Sequence, residues 1–410
     1  MRRIVIHQAS FVIVAALVLA CVFVVGARSA ERPIDFWSTQ RRGTNFFSEV
    51  ERRERFEAAH AFGIQLVRLA PNKWLNGRPA GKRGDFLIGR PGAFTHIDQG
   101  DVAYLRRVLD DADHTGIKVV LTMLSLPGAR WSQHNNNVEE RRLWQDAAAH
   151  DEAIACWTEL ASALKGHPAL VGYNLRNEPS PELARPRFVD WYTGDYQKWY
   201  DSVRGSPADL NLFYRKAVTA IRRVDANTPI VLDSGFFATP WAFKVLEPVD
   251  DDKTIYSFHM YEPYAYTSRN NRGRYTYPGS IPTGEGDEPV TVKWDRQQIE
   301  AFLRPVADWQ TKYHVPSSRI FAGEFGIVRT NAGALDYLRD VIDVLNAHGW
   351  HWAYYGFRED GWDAMDYELG TGKPGAKYWD AIEHGRMPGG NVYKPNQLSE
   401  LLRAAVHGRN

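Results

Sequence analysis

Eight short runs rich in β-branched and aromatic residues recur along the chain, and this recurrence most limits the folds it can adopt. The runs lie at 42–47, 64–70, 118–124, 170–177, 229–236, 254–261, 320–326 and 351–357. Apolar residues at three- and four-residue spacing predict helices between them, at 49–62, 102–115, 139–165, 210–224, 297–313 and 334–348. Strands that are apolar along their length are buried on both faces, as in a parallel sheet covered by helices. The pattern predicts an α/β protein with a (β/α)8 TIM barrel, formed as one domain over 33–408.

Composition argues against a nucleic-acid-binding protein and against a disulfide within the domain. The chain has 50 Lys and Arg against 49 Asp and Glu, a net charge of +1, which argues against a nucleic-acid partner. Aromatic residues make up 13% of the chain, enough to suggest a surface on which a flat, neutral ligand stacks. The two cysteines are Cys21, in an N-terminal apolar run, and Cys156, in a helical pattern. We therefore expect no disulfide within the domain and a buried Cys156.

The N-terminus resembles an export sequence. Met1-Arg2-Arg3 precedes an apolar run at 11–27, which ends in small residues. Residues 1–30 are therefore predicted to be either a signal peptide that is cleaved or a membrane anchor that is retained, since the run is just long enough to span a bilayer. Either fate places the rest of the chain outside the cytoplasm, in the periplasm or the extracellular space, and we expect it to be a monomer.

Two long connections follow predicted strands, at 180–209 after the fourth and at 262–291 after the sixth. In a barrel of this type both lie on the face formed by the C-terminal ends of the strands, where active sites are built. They carry the aromatic residues Trp191, Tyr192, Tyr196, Trp199, Tyr200, Tyr264, Tyr266, Tyr275 and Tyr277. These rings would either stack on sugar rings or pack within their own loops.

Two carboxylates stand at predicted strand tips. Glu178 ends the fourth run within Asn177-Glu178-Pro179, and Glu324 lies near the end of the seventh. Strands four and seven lie nearly opposite one another in an eight-stranded barrel, so both side chains could address one bond. A pair of carboxylates about 5–5.5 Å apart is what a retaining glycosidase requires. Arg68, a cation in an apolar second strand, requires a partner and would keep a nearby carboxylate ionised.

At these positions the chain resembles glycoside hydrolase family five, the cellulase family of the clan A retaining glycosidases. The matching segments, in chain order, are Arg42-Gly43-Thr44-Asn45, Arg68, Asn177-Glu178-Pro179, His259-Met260-Tyr261 and Gly323-Glu324-Phe325-Gly326. The resemblance implies a general acid/base at Glu178 and a nucleophile at Glu324.

The resemblance also implies supporting residues. Asn177 would contact the sugar 2-hydroxyl, Arg68 and Tyr261 would hold the nucleophile, and His259 would bind substrate or orient the acid/base.

Two positions depart from the family pattern. Leu124 stands at the third strand tip, where the family usually has histidine, and Tyr355 stands where it has a tryptophan that supports a sugar ring. A shift of register would instead bring Trp352 to that position.

These observations predict an exported retaining β-glycoside hydrolase that degrades a β-glucan polysaccharide or oligosaccharide, most simply an endo-β-1,4-glucanase or cellulase. A β-mannanase, a β-1,3-glucanase and a transglycosylase share the same two-glutamate chemistry. A non-catalytic glycan-binding barrel is the alternative from a different class. His259 has no companions at metal-ligand spacing, so we expect neither a metal nor a cofactor.

Overall fold

The sheet of the protein closes into a barrel. The computed structural model describes residues 32–48, 51–74, 85–92, 94–132, 135, 138–284, 290–359, 364–372 and 393–408. Its strands are β1 Arg42–Phe46, β2 Leu66–Leu69, β3 Lys118–Thr122, β4 Leu170–Asn174, β5 Ile230–Asp233, β6 Thr254–Met260, β7 Gly279–Thr283, β8 Val290–Trp294, β9 Ile320–Phe325 and β10 His351–Tyr354. Eight of them form the barrel in the order β1-β10-β9-β6-β5-β4-β3-β2, with every neighbouring pair parallel. The predicted (β/α)8 barrel is confirmed.

Helices cover the outside of the barrel. Those of two turns or more are α1 Arg53–Phe62, α2 Gln99–His114, α3 Ala147–Leu164, α4 Tyr196–Val203, α5 Leu210–Arg222, α6 Arg296–Tyr313, α7 Ala334–Ala347 and α8 Gln397–Val406. The prediction for 139–165 was too long, because Asp146 caps α3 through a hydrogen bond from the N–H of Ala148. Cys156 is a buried free thiol on α3, as predicted.

The inside of the barrel has an apolar layer toward the N-terminal ends of the strands, the lower layer, and a polar layer toward their C-terminal ends, the upper layer. Alternate residues of a strand point to the same side, so β2 contributes Leu66 to the apolar layer and Arg68 to the polar layer. The lower layer consists of Leu66, Val120, Val171, Val231, Ile255, Phe321 and Ala353. Trp37, from the 3₁₀ helix Pro33–Ser38, packs beneath it and donates its indole N–H to the carbonyl oxygen of Val171 at 2.9 Å. The N-terminal end of the barrel is thus closed, and the polar layer faces the other end.

The two long connections follow β4 and β6, as predicted. The first contains α4, and the second contains the antiparallel hairpin of β7 and β8. Most of their aromatic rings pack within the protein: the buried ones are Tyr196, Trp199, Tyr200, Tyr266 and Tyr277. Tyr264 is 41% exposed. The stacking surface suggested by composition is therefore smaller than the sequence indicates.

The segment between β5 and β6 contains only short helical turns. Residues Gly235–Ala238 form one turn and Pro240–Lys244 form a 3₁₀ helix. From Arg32 onward the chain forms one compact unit. Within the described residues, no helix has the length and hydropathy needed to cross a membrane. The run at 11–27, predicted to be a signal peptide or an anchor, lies outside the described residues.

Candidate active site

The two predicted carboxylates meet at the C-terminal end of the barrel. Glu178 lies four residues beyond the end of β4, where its φ of 51° turns the chain sharply, and Glu324 is 4% exposed near the end of β9. An irregularity in the pairing of β6 with β9 sets Glu324 opposite His259, which is how a bulge redirects a side chain. One carboxylate oxygen of Glu178 lies within 4.8 Å of one of Glu324. Both side chains can therefore reach a single bond.

Arg68 is the centre of a buried hydrogen-bond network. Its side chain is fully buried on β2, and Nη1 donates to Oε1 of Glu324 at 2.5 Å. The other acceptors are the side-chain oxygens of Asn45 at 3.2 Å, Asn174 at 2.7 and 2.9 Å, Asn177 at 2.7 Å and Asp233 at 3.3 Å. A buried guanidinium with its donors satisfied is rigid and stabilises the negative charge beside it.

Tyr261 holds the other oxygen of Glu324. Its hydroxyl donates to Oε2 at 2.8 Å, and burial raises the pKa of Tyr261 well above its ordinary value, so the hydroxyl remains a donor. Burial also raises the pKa of Glu324, and the charge of Glu178 adds to that rise. His259, Arg68 and the hydrogen bond from Tyr261 act in the opposite direction. The expected effect of Arg68 is present, but burial is the larger one.

His259 contacts the acid/base candidate. Its Nδ1 lies 2.9 Å from Oε1 of Glu178, while its Nε2 lies 3.6 Å from Asp233 and 3.9 Å from Glu324. Burial alone would lower the pKa of His259, but Glu324, Glu178 and Asp233 together raise it. Of the two roles implied by the resemblance, orientation of Glu178 is the one for which the contact is present.

His259 and the two glutamates also form a group that could hold a metal ion, because their ligand atoms lie within 4.8 Å of one another. Protein groups already engage three of the four carboxylate oxygens: Arg68 and Tyr261 donate to the two oxygens of Glu324, and Nδ1 of His259 contacts Oε1 of Glu178. A cation here would have to compete with the guanidinium of Arg68 for the same oxygen. The donor set therefore fits a metal poorly.

Tyr355 takes the position at the end of β10 that the resemblance assigns to a sugar-supporting ring. Its hydroxyl donates to Oε2 of Glu359 at 2.8 Å, and Oε1 of Glu359 accepts the N–H of Phe47 at 3.2 Å. Trp352 is fully buried, packs edge-on against Phe325 and points toward the helices. The alternative register is thus wrong, and tyrosine stands at the mouth of the barrel.

Leu124 belongs to the hydrophobic core and is 2% exposed, so it offers a ligand no side-chain polar contact. Its backbone N–H donates to Oδ1 of Asn72 at 2.7 Å. The buried Asn72 thus places a polar side chain next to Leu124, two residues beyond the end of β3.

Sequence reasoning missed three residues of the network. Asn45 and Asn174 lie within segments quoted above, but no role was predicted for either. Asp233 ends β5, where Oδ2 accepts from Arg68 and from the backbone N–H of Glu178 at 3.3 Å. Alternation along β5 places Asp233 on the same face as the inward Val231, so a carboxylate inside an otherwise apolar strand was the available signal.

The sequence of the chain is similar to those of known proteins. The sequence model of a family described as cellulase, glycosyl hydrolase family 5, matches residues 33–361. Endoglucanase C of Acetivibrio thermocellus is 21% identical over 294 residues, covering 65% of this chain and 74% of that protein. A β-xylosidase of Phanerodontia chrysosporium is 22% identical over 291 residues, covering 67% of this chain and 50% of that protein.

The fold is also similar to solved structures. An endoglucanase from the hyperthermophile Thermotoga maritima has a TM-score of 0.59 at 17% identity, with 82% of this chain and 94% of that chain covered. The family match spans most of the described barrel and includes every residue of the network.

Proposed function

This chain belongs to the cellulase family, glycosyl hydrolase family 5, and is a glycosidase; from that premise we propose that it is an exported endo-β-1,4-glucanase acting with retention of configuration. The observation that carries the proposal is the distance of at most 4.8 Å between oxygens of Glu178 and Glu324. Retaining glycosidases have carboxyl groups about 5–5.5 Å apart, whereas inverting enzymes separate them by about 6.5–9.5 Å to admit a water. The short separation supports direct attack by one carboxylate.

In the proposed reaction, Glu324 attacks the anomeric carbon while protonated Glu178 gives its proton to the departing oxygen. The bond from carbon to that oxygen breaks as the bond to Glu324 forms, which leaves a covalent glycosyl-enzyme. Water then attacks the same carbon, Glu178 takes its proton, and Glu324 leaves. Arg68 and Tyr261 hold Glu324 by both oxygens, which fixes the direction of attack.

A β-glucan is the proposed substrate class. Supporting this choice, Endoglucanase C of Acetivibrio thermocellus matches most of the chain. Tyr264 is 41% exposed and lies four residues beyond the end of β6, on the face that carries Glu178 and Glu324, and aromatic faces suit sugar rings.

Export is proposed from the sequence of residues 1–30. Met1-Arg2-Arg3 followed by the apolar run at 11–27 supports this proposal. Fractionation of producing cells, with mass spectrometry of the N-terminus, tests both export and cleavage.

The decisive experiment is a hydrolysis panel of soluble β-1,4-glucan, β-1,3-glucan, mixed-linkage glucan, mannan and an acidic exopolysaccharide. It compares the wild type with Glu178→Gln, Glu324→Gln and, as a matched control, Glu57→Gln, an exposed carboxylate on α1. NMR of the first product anomer reports the stereochemistry.

We expect wild type and the control to cut β-1,4-glucan and release the β-anomer first, and both site variants to lose activity. Release of the α-anomer would contradict retention. Binding of a glycan by all four proteins without cleavage would instead favour a glycan-binding barrel.

A further inference from the structure

Glu182 is a buried carboxylate that the proposed reaction does not use. It follows the acid/base candidate in the 3₁₀ helix Pro181–Leu183 and is 1% exposed. The hydroxyl of Tyr196 donates to its Oε1, and the backbone N–H of Phe236 donates to its Oε2 at 3.0 Å. Burial raises the pKa of Glu182 to about 7. The carboxyl thus joins α4 to the turn that follows β5.

That turn has an uncommon backbone. Phe236, Phe237 and Ala238 have φ values of 52°, 61° and 63°, so three successive residues with side chains adopt the left-handed region. Bulky residues adopt it rarely, and such a turn persists only where its surroundings hold it. Gly235 precedes it, and a Cβ there would lie 2.5 Å from Oε1 of Glu182, so only glycine allows the carboxyl to approach this closely.

The turn at Phe236, Phe237 and Ala238 also holds the segment that carries Glu178. The N–H of Phe237 donates to the carbonyl oxygen of Pro179 at 3.0 Å, and the N–H of Glu178 donates to Asp233 at 3.3 Å. Glu178 itself has a φ of 51°. The residue proposed as general acid is therefore held between the end of β5 and the strained turn. Glu182 holds that turn by accepting the N–H of Phe236.

We propose that Glu182 is a positioning residue for the general acid Glu178, acting through the turn at Phe236 and Phe237. This inference rests on the proposed function. If the carboxyl of Glu182 is removed, the turn loses its anchor and can relax toward ordinary backbone angles. The contact of Phe237 with Pro179 then weakens, and the carboxyl of Glu178 is no longer held at hydrogen-bond distance from the departing oxygen.

The dependence on leaving group distinguishes positioning of the acid from a general structural role. Cellotetraose releases a sugar alkoxide and needs a proton from Glu178, whereas 2,4-dinitrophenyl β-cellobioside releases a stable phenolate and needs none. The ratio kcat/KM reports the step up to formation of the glycosyl-enzyme, so the later role of Glu178 as base does not enter. Loss of folded protein would lower both values equally.

The experiment measures kcat/KM of both substrates for wild type, Glu182→Ala, Glu182→Gln and Asp225→Asn. Asp225 is a matched control, because it is a buried carboxylate that accepts a tyrosine hydroxyl and backbone N–H groups at the opposite end of β5. Misplacement of a catalytic group by about 1 Å can reduce the rate about a hundredfold. We expect Glu182→Ala to lower kcat/KM for cellotetraose by about ten- to a hundredfold and for the dinitrophenyl substrate by less than about threefold.

Glu182→Gln keeps an oxygen that can accept the N–H of Phe236, so it should restore most of the activity on cellotetraose. Asp225→Asn should change both values equally. If Glu182→Ala does not fold, Tyr196→Phe can replace it, because this variant removes the other contact to the carboxyl. Tyr196→Phe should also lower kcat/KM more for cellotetraose than for the dinitrophenyl substrate, but by a smaller factor. An equal loss of kcat/KM on both substrates would overturn the role proposed for Glu182 but would leave the proposed function intact. Failure of the wild type to cleave either substrate would refute the proposed function and the inference with it.

Discussion

Replacement of Asp366 by asparagine should make the protein more stable at neutral and alkaline pH. Asp366 is 2% exposed in the segment after β10, and neither of its carboxylate oxygens has a hydrogen-bond partner of ordinary geometry in the described part of the chain. Burial raises its pKa to about 7, and the charge of Glu368 adds to the rise. The backbone N–H of Glu368 and the charges of Arg55 and Arg358 oppose it.

The size of the effect follows from the two pKa values of Asp366. The folded value of about 7 lies above the ordinary 3.8 of the unfolded chain, so the folded protein binds the proton more tightly. The stability that this proton contributes is fully present below about pH 3.8 and is lost as the pH rises through 7. The difference corresponds to about 4 kcal/mol of unfolding free energy. Asparagine has nearly the same shape and cannot ionise, so it avoids this loss.

Urea titration followed by tryptophan fluorescence at pH 4.5, 6 and 8 measures the effect. At pH 4.5, which lies just above the unfolded pKa of 3.8, the variant should be more stable than wild type by only about 1 kcal/mol, and at pH 8 by up to about 4 kcal/mol. A residual fall with pH is expected in the variant, because the pKa of Glu182 is also raised to about 7. The exposed Glu57→Gln is the control. A variant that is less stable than wild type at pH 8 would refute the reasoning.

Three further predictions concern the site. Arg68→Met removes the charge that lowers the pKa of Glu324, so the acid limb of the kcat/KM profile should move to higher pH, and an unchanged limb would contradict this electrostatic role. Tyr355→Phe deprives Glu359 of one donor and should reduce the free energy of unfolding by about 1–3 kcal/mol in urea titration, whereas an equal stability would show that the bond contributes nothing. Dialysis against EDTA should leave hydrolysis unchanged, because protein donors occupy both oxygens of Glu324 and the imidazole of His259 contacts Oε1 of Glu178; a loss that added metal reverses would favour metal dependence.

The barrel and its two carboxylates could be predicted because both depend on local pattern. Buried parallel strands appear in the sequence as apolar runs, and the residue at each C-terminal tip lies on one known face of the barrel. The sites of Glu178 and Glu324 could therefore be predicted from the order of the strands and from the position of each glutamate at a strand tip. The sequence also pointed to Arg68, because a charge within an apolar strand requires a partner.

Contacts between distant segments could not be predicted in the same way. Asp233 meets Arg68 across 165 residues, and Glu182 meets Phe236 across 54. No periodicity reports such pairs, since each depends on how two loops end at the same face. Burial of the loop aromatic residues, such as Tyr196, has the same origin: the ring fills a secondary cluster that exists only after α4 has packed against the turn beyond β5.

The charged groups around His259 connect the two carboxylates of the site. Burial and the charge of Arg68 lower the pKa of His259, while Glu324, Glu178 and Asp233 together raise it. Its Nδ1 lies 2.9 Å from Oε1 of Glu178, and its Nε2 lies 3.6 Å from Asp233 and 3.9 Å from Glu324. In the proposed reaction Glu178 gives its proton to the departing oxygen, and a hydrogen bond from Nδ1 of His259 would then stabilise the carboxylate that remains. The imidazole is therefore placed to hold Glu178 in one orientation through both steps of the reaction.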